Sequence, residues 1–343
     1  MIIAVSGVND TDNPGPGIGV ARSLKEADSS IKTVGLSYDV QDPGNFMDFV
    51  IDKSYVLTYP SQGWEPIFNR LLYIKESYGL DAVIPTLDAE LPSYIKYQDD
   101  LKEAGIKTFL PNLEQFELRS KENLGDISEA LKISYPKTKK VFNIDQLKKA
   151  VNEIGFPCVV KGNYYKAYKV KSLPEAVYYF TEISNEWGFP ILVQEIVNGD
   201  ELNVIGAGDG KGNSLGLVAI KKMTTTHLGK IWNGVTIRHE KLLKVAEDFV
   251  AEYKWRGPFE LECIVDEDNI ILIEINPRFP AWVYFATGVG VNLPKRVLDV
   301  MFDKNSDMSG DYESGKMMVR YTYELITDIE KLSELATKGE SNG

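Results

Sequence analysis

Cysteine and histidine are nearly missing from this 343-residue chain, which has two of each. Cys158 and Cys263 lie inside apolar, strand-like runs. One pair in a chain of this length makes no disulfide framework, so buried free thiols are expected. His227 and His239 have no Cys or acidic cluster beside them, which argues against a zinc site and against a Ser-His-Asp triad. No apolar run approaches the roughly 18 residues needed to cross a bilayer, and Met1 to Gly7 form a short apolar stretch without a basic leader. A cytoplasmic protein is the expectation. Positive charge is also short: 38 Lys and Arg against 50 Asp and Glu leave a net charge of −12. Nucleic acid and anionic membrane are disfavoured as partners, because phosphate backbones attract clustered cations. Any anionic ligand must be met by a local cationic pocket. Internal repeats and low-complexity segments are absent.

What is present is a globular composition, 43% hydrophobic, in a chain longer than the roughly 150 residues of one domain, so two or three lobes are expected. The first third alternates short β-branched runs (Ile2 to Ser6, Thr33 to Ser37, Ala82 to Pro85, Lys107 to Leu110) with apolar residues at helical spacing around Val20 to Glu26, Ile67 to Tyr78 and Leu91 to Ala104. That alternation predicts a parallel sheet with helices on its faces. Beyond Leu113 come helical stretches, Gln115 to Leu131, Asp145 to Ile154 and Leu173 to Trp187, with short strands at Val141-Phe142 and Cys158 to Lys161. Longer strands follow at Ile191 to Val197, Glu201 to Gly206, Leu215 to Lys221, Phe259 to Val265 and Ile270 to Ile275, an antiparallel α+β pattern, with one more at Met317 to Tyr323. The fold class is α/β plus α+β. Its lobes are 1–112, 113–188 and 189–325, followed by a tail, 326–343, that ends frayed from Lys338.

Phe259 to Val265 and Ile270 to Asn276 flank the polar cluster Asp266 to Asn269, so a β-hairpin is expected. Alternation puts Glu260, Glu262 and Ile264 on one face, and Leu272, Glu274 and Asn276 share a face of the second strand. A three-residue turn centred on Asp268 would set Glu262 opposite Glu274 and Glu260 opposite Asn276. Like charges directly opposite are destabilising. The arrangement becomes favourable with a hard dication between them, since Mg²⁺ takes oxygen ligands. A solvated acidic face is the plainer alternative for Glu-x-Glu alone. Pro277 then ends the strand, and Arg278 brings a guanidinium suited to phosphate oxygens.

Glu274-Ile275-Asn276-Pro277-Arg278 resembles the Glu-x-Asn-Pro-Arg signature of ATP-grasp ligases, especially the branch with the carbamoyl phosphate synthetase large chain and biotin carboxylase. The resemblance implies an ATP-grasp fold with an N-terminal Rossmann-like lobe. It implies ATP and Mg²⁺, with Mn²⁺ as an alternative ion, and Glu262, Glu274 and Asn276 as metal ligands. Arg278 would contact a phosphate or an intermediate. Ile191 to Glu201 resembles the family's hinge segment, which would place Gln194, Glu195 and Val197 at the adenine and Glu201 at the ribose; a polar hairpin is the alternative. Lys121 and Lys161 stand where the family puts cations on the phosphates. A third cation comes from Lys221, Lys222 or Lys230, near the Gly-rich segment Thr226 to Gly234, and the sequence leaves open which of them points inward; Lys222 is taken as catalytic together with Lys161 and Arg278. One departure stands out. The family follows its second lysine with a Gly- and Ser-rich phosphate loop, whereas here Lys161-Gly162-Asn163-Tyr164-Tyr165-Lys166-Ala167-Tyr168 has one glycine and three tyrosines, with Lys166 as a substitute source of charge.

In the front lobe, Gly7 and Asn13 to Gly19 run into a helix, an arrangement suited to anions. A dinucleotide fingerprint with Asp39 as ribose acid is disfavoured, because the loop from Gly7 to Gly15 is long and Arg22 occupies the third glycine position. By the resemblance this lobe helps hold the carboxylate substrate through Gly17 and Gly19. Pro85 to Glu90 resembles a further substrate loop in which Glu90 meets an amino group; an acid at a helix N-terminus is the alternative. The expected activity is carboxylate-amine ligation through an acyl phosphate on a small carboxylate such as an amino acid or peptide. The partners are thus small-molecule carboxylates and amines, and a homodimer is compatible with the family. The alternatives are a nucleotide-binding protein without turnover and a bicarbonate-activating carboxylase.

Overall fold

The computed structural model describes residues 1–163, 166–306 and 310–343, and among these the strands form three sheets. The chain divides into two units that are discontinuous in sequence. Unit one comprises Met1–Phe116, Asn203–Glu260 and Asn276–Gly343; unit two comprises Glu117–Leu202 and Leu261–Ile275.

Unit one begins with β1 (Ile2–Val5), β2 (Lys32–Ser37), β3 (Lys53–Val56) and β4 (Ala82–Ile84). They lie parallel in the order β3-β2-β1-β4; the parallel sheet and β1, β2 and β4 agree with the strand-helix alternation, while β3 was not expected. The helix Pro16–Ala27 opens with Pro at its first turn, where the missing N–H costs no hydrogen bond. The helix Trp64–Tyr78 buries Trp64, Ile67, Leu71 and Ile74, spaced at three and four residues, into the core shared with Leu36, Tyr55 and Val83. Lys107 to Leu110 does not form the expected strand. Lys107 makes a single bridge to Ala82, and Pro111, lacking an N–H, closes the run.

Unit two contains β5 (Thr138–Val141), β6 (Cys158–Gly162), β7 (Ala167–Val170) and β8 (Ile191–Glu195), an antiparallel sheet in the order β5-β8-β6-β7. The helices Ile144–Ile154 and Leu173–Trp187 start at Asn143 and Ser172, whose side chains accept from the backbone N–H three residues on. Cys158 is buried beneath them as a free thiol.

The longer strands are β9 (Asp200–Asp209), β10 (Ser214–Thr225), β11 (Ile231–Thr236), β12 (Arg256–Asp266), β13 (Asn269–Asn276) and β14 (Met317–Met318), forming the sheet β13-β12-β9-β10-β11-β14. The chain passes between units within β9, β12 and β13. Met317 to Tyr323 was expected as one strand, but β14 stops at Met318, and the Arg320 N–H turns instead to Asn233 Oδ1 at 3.0 Å. The terminal residues are not frayed. After the helix Ile329–Lys338, β15 (Glu340–Asn342) pairs antiparallel with β3 and covers that edge of the first sheet. No helix among the described residues is long and apolar enough to cross a membrane.

Candidate functional site

In unit two, three strands and a turn bring four of the expected residues together. Lys161 closes the apolar part of β6 and is 3% exposed. Its Nζ donates to Gln194 Oε1 at 2.8 Å, and Gln194 is held from its other side by donating to Thr138 Oγ1 at 2.7 Å. Lys121 is also buried, and its Nζ sits 3.2 Å from Glu274 Oε1 on β13. Burial, followed by the nearby Lys121, pulls the Lys161 ammonium down to about 7, while Glu274 acts against the shift. One carboxylate therefore faces two buried lysines. The cluster is electron-poor and suited to an anion.

That shift has a sign that can be tested. Unfolded Lys161 keeps its proton up to the ordinary 10.5, and the folded group loses it near 7, so stability rises with pH between about 7 and 10.5, and the cost is fully felt below about 7. An arriving polyphosphate restores the proton. At pH 8, calorimetry in buffers of different ionisation enthalpy is expected to show uptake of close to one proton per ADP bound, absent in Lys161→Met. Buffer-independent heats in the unaltered protein would contradict it.

The unusual connection after Lys161 has a structural purpose that sequence reasoning missed. Asn163 Oδ1 accepts from Ser120 Oγ at 3.0 Å and from the Glu122 N–H at 3.2 Å, while the Lys121 N–H points at the Asn163 carbonyl at 3.4 Å. Asn163 thus ties the Lys121 turn to the end of β6. Its signal was an Asn directly after Lys-Gly. Tyr164 and Tyr165 lie outside the described residues. Tyr168 is in β7, stacked on Tyr179 at 4.0 Å. Lys166 is not a spare phosphate cation: Glu182, at 3.0 Å, and Glu186 both pair with it.

Of the remaining hinge residues, Glu195 turns its side chain outward to accept from the Lys137 N–H at 2.7 Å, Val197 is half-buried after β8, and Glu201 is exposed at the start of β9. Gln194 is the inward-facing member of this group.

The hairpin β12–β13 turns at Glu267-Asp268, with Glu267 in the left-handed region at φ 52°. Within unit one, Asn276 Nδ2 donates to Glu260 Oε2 at 3.0 Å, which places those two side chains on one face, as strand alternation predicts. Glu260 is buried and also accepts from Asn203 Nδ2 at 2.7 Å and Trp282 Nε1 at 2.6 Å. This carboxylate anchors the Asn276 amide, leaving Asn276 Oδ1 toward Arg278 at 3.5 Å. Glu262 and Glu274 are half-buried strand residues of unit two. Burial, with Glu262 adding to it, pushes the neighbouring Cys263 thiol up to about 12. Among the described residues no group of three or more His, Cys, Asp and Glu is placed to hold a metal. The expected set of two carboxylates and an amide consists of hard oxygen donors, whose kind fits Mg²⁺ rather than a soft ion.

The other expected residues of unit one are placed differently from the anion-site reading. Arg278 donates from Nε and Nη2 to Asp88 Oδ2 at 3.0 and 2.8 Å, in the loop after β4. Gly17 is a packing glycine: a Cβ there would lie 2.0 Å from the Ser6 carbonyl oxygen, and its N–H is taken by Gly7 O at 2.9 Å. Gly19 lets its helix approach Val283. Glu90 is fully buried and accepts from Ser6 Oγ, Tyr38 OH and the N–H groups of Thr86 and Leu87 at 2.8 and 2.9 Å, so its first task is to bind the loops after β1, β2 and β4 together. Lys222 stands on β10 opposite Gly234, and Lys230 pairs with Asp12 at 3.6 Å.

The family described as "ATP-grasp in the biosynthetic pathway with Ter operon" matches residues 189–323. The carbamoyl phosphate synthase large chain of Clostridium acetobutylicum is 25% identical over 260 residues, covering 67% of this chain and 24% of its own length. The chain thus spans about a quarter of that relative. Among solved structures, the biotin carboxylase domain dimer of the Hydrogenobacter thermophilus 2-oxoglutarate carboxylase, in complex with magnesium ADP, ADP and bicarbonate, is similar with TM-score 0.70 at 17% identity, covering 92% of this chain and 73% of that one. An L-amino acid ligase from Bacillus licheniformis is similar with TM-score 0.64 at 14% identity, covering 88% and 74%. The fold is that of the ATP-grasp enzymes.

Proposed function

We propose that this chain, with its ATP-grasp fold, is an ATP- and Mg²⁺-dependent ligase that activates a small carboxylate as an acyl phosphate and joins it to an amine. The observation that carries the reading is the quartet in unit two of the buried Lys121, Lys161 and Gln194 with the half-buried Glu274. Lys121 and Lys161 are both buried, and burial with the nearby Lys121 disfavours the charged form of Lys161, so an anion reaching the pair would stabilise the site. In this reading Lys161, oriented by Gln194, and Lys121 carry positive charge to the nucleotide phosphates. Glu262, Glu274 and Asn276 are the oxygen donors for Mg²⁺, with the Asn276 amide oriented by Glu260. Bound Mg²⁺ would neutralise charge on the transferring phosphoryl group. Arg278 serves the phosphate or the intermediate, with Asp88 holding its guanidinium in plane. Lys222 is a further cation of the reaction. Gln194, Glu195 and Val197 border the adenine, and Glu201 takes the ribose hydroxyls. Catalysis is then mainly positioning and electrostatics.

ADP release, measured across a panel of amino acids with and without a second amine, tests this directly. Acceptor-dependent ADP formation is expected. A protein that binds ATP tightly and never forms ADP with any acceptor would support nucleotide binding without turnover. Activation of bicarbonate is a second reading, favoured by the similarity to a domain whose structure holds magnesium ADP and bicarbonate. Bicarbonate-stimulated ADP formation without an amino acid would select it.

A further inference from the structure

In unit one, β14 pairs with β11 on one side and stands last in its sheet, so its other side is an edge. Edge strands are usually blunted by charge, proline or a bulge. Here the chain from Met317 to Thr327 has no Pro and no Gly, and its two charges, Arg320 and Glu324, cancel. Val319, Tyr321, Tyr323 and Ile326 all favour strands. No turn or bend interrupts residues 319–328 before the helix Ile329–Lys338 begins. Arg320, the charge that could guard the edge, turns its side chain back into unit one, where it donates to the Ala281 carbonyl at 2.6 Å and lies 5.9 Å from the centre of the Trp232 ring. Met317, Val319, Tyr321, Tyr323, Ile326 and Ile329 are left between 57% and 96% exposed.

At these exposures the uncovered side-chain surface is on the order of 800 Å², for large side chains of about 150–250 Å² each. One partner contributes roughly that area to a stable interface. We propose that this edge is an interface between two copies of the chain, in which the second copy adds its own segment 317–328 as an antiparallel strand. Symmetry and charge together select the copy and its register. About a two-fold axis at Thr322, Lys316 stands opposite Asp328 and Arg320 opposite Glu324, while Tyr321 faces Tyr323 and Met318 faces Ile326. Opposite charges and aromatic pairs directly across favour such a ladder. An axis at Tyr321 instead sets Lys316 against Ile326 and Glu324 against Met318, and neither charge is answered. Lys316 pairs with Glu313 at 2.8 Å within its own chain, and both are exposed, so it can turn to a second carboxylate. These exposed charges fix register more than strength. The affinity comes from the apolar side chains and from edge N–H and C=O groups that gain partners.

Sedimentation velocity on the full chain without nucleotide tests the interface separately from any ligase activity. A dimer is expected. Tyr321→Lys combined with Tyr323→Lys sets like charges opposite one another on both sides of the axis and should weaken association at least tenfold. Both positions are exposed, at 80% and 74%, so folding, followed by circular dichroism, should be unaffected. Asp328→Lys should weaken the dimer at least threefold, and adding Lys316→Asp to the same chain should restore it. Thr322→Cys lies on the axis and faces its own copy at the Cα spacing of about 4.5–5.5 Å found across an antiparallel pair, within disulfide reach. Mild oxidation is therefore expected to give a covalent dimer, to which the buried Cys158 and Cys263 add no background. A chain that sediments as a monomer at every accessible concentration would overturn the proposal. So would a dimer indifferent to the paired tyrosine substitutions, or one that Thr322→Cys fails to cross-link.

Discussion

Replacing Glu274 by alanine is expected to lower acceptor-dependent ADP formation by at least about a hundredfold, the scale on which preorganised charge stabilisers are lost. Two consequences combine. In the proposed site the substitution removes one of two carboxylate oxygen donors for the metal, and it also strips the buried Lys121 of the carboxylate 3.2 Å away. Lys161 then loses the one influence that favours its charged form, so the already low ammonium falls further and less positive charge reaches the phosphates at neutral pH. Glu274→Gln separates the two effects, since an amide can still accept from Lys121 but binds Mg²⁺ poorly. Activity within threefold of the parent in both variants would rule Glu274 out of the metal site. Circular dichroism and melting curves alongside the assay distinguish a lost reaction from a lost fold.

Glu260→Ala should be the most destabilising single substitution of a polar residue in unit one. Its carboxylate receives three buried donors, from Asn203, Asn276 and Trp282. Removing it leaves all three without their acceptor, at about 1–3 kcal/mol each, and neither Trp282 nor Asn203 is placed to reach water, at 1% exposure apiece. A loss of about 3–5 kcal/mol is expected, with the melting temperature falling by roughly 5–10 °C. Glu260→Gln should fall in between, because one oxygen still serves Asn203 and Trp282 while its NH₂ faces that of Asn276 and forces that amide to turn. The proposed metal donor would then be misdirected, so Mg²⁺ affinity should drop more than stability does. An alanine variant that melts within 1–2 °C of the parent would show that the network carries no net stability.

The meeting of Glu260 and Asn276 on one face was legible in the sequence because side-chain direction in a strand repeats every two residues and depends on nothing remote. The parallel strands β1, β2 and β4 and the buried cysteines were legible for the same reason, since patterning of apolar residues is local. Glu90 and Gly17 looked like ligand contacts because an acid or glycine near a helix start is chemically ambiguous. Which one binds and which one packs depends on the loops that surround it. Here Ser6, Tyr38, Thr86 and Leu87 converge on Glu90, and the Ser6 carbonyl stands where a Gly17 side chain would be.

By itself, then, the sequence determined most of the elements, though not β3, β7 or β11, and with them the residue types available for a nucleotide and a hard cation. Tertiary structure alone decided which of those residues meet. Asn163 ties the Lys121 turn to β6, Asp88 takes Arg278 across 190 residues of sequence, and β15 at the end of the chain pairs with β3 near its beginning. The reason is physical. Periodicity reports only the direction of a side chain relative to its own backbone, whereas an ion pair or a capped sheet edge exists only after distant segments have been closed onto one another and the water between them removed.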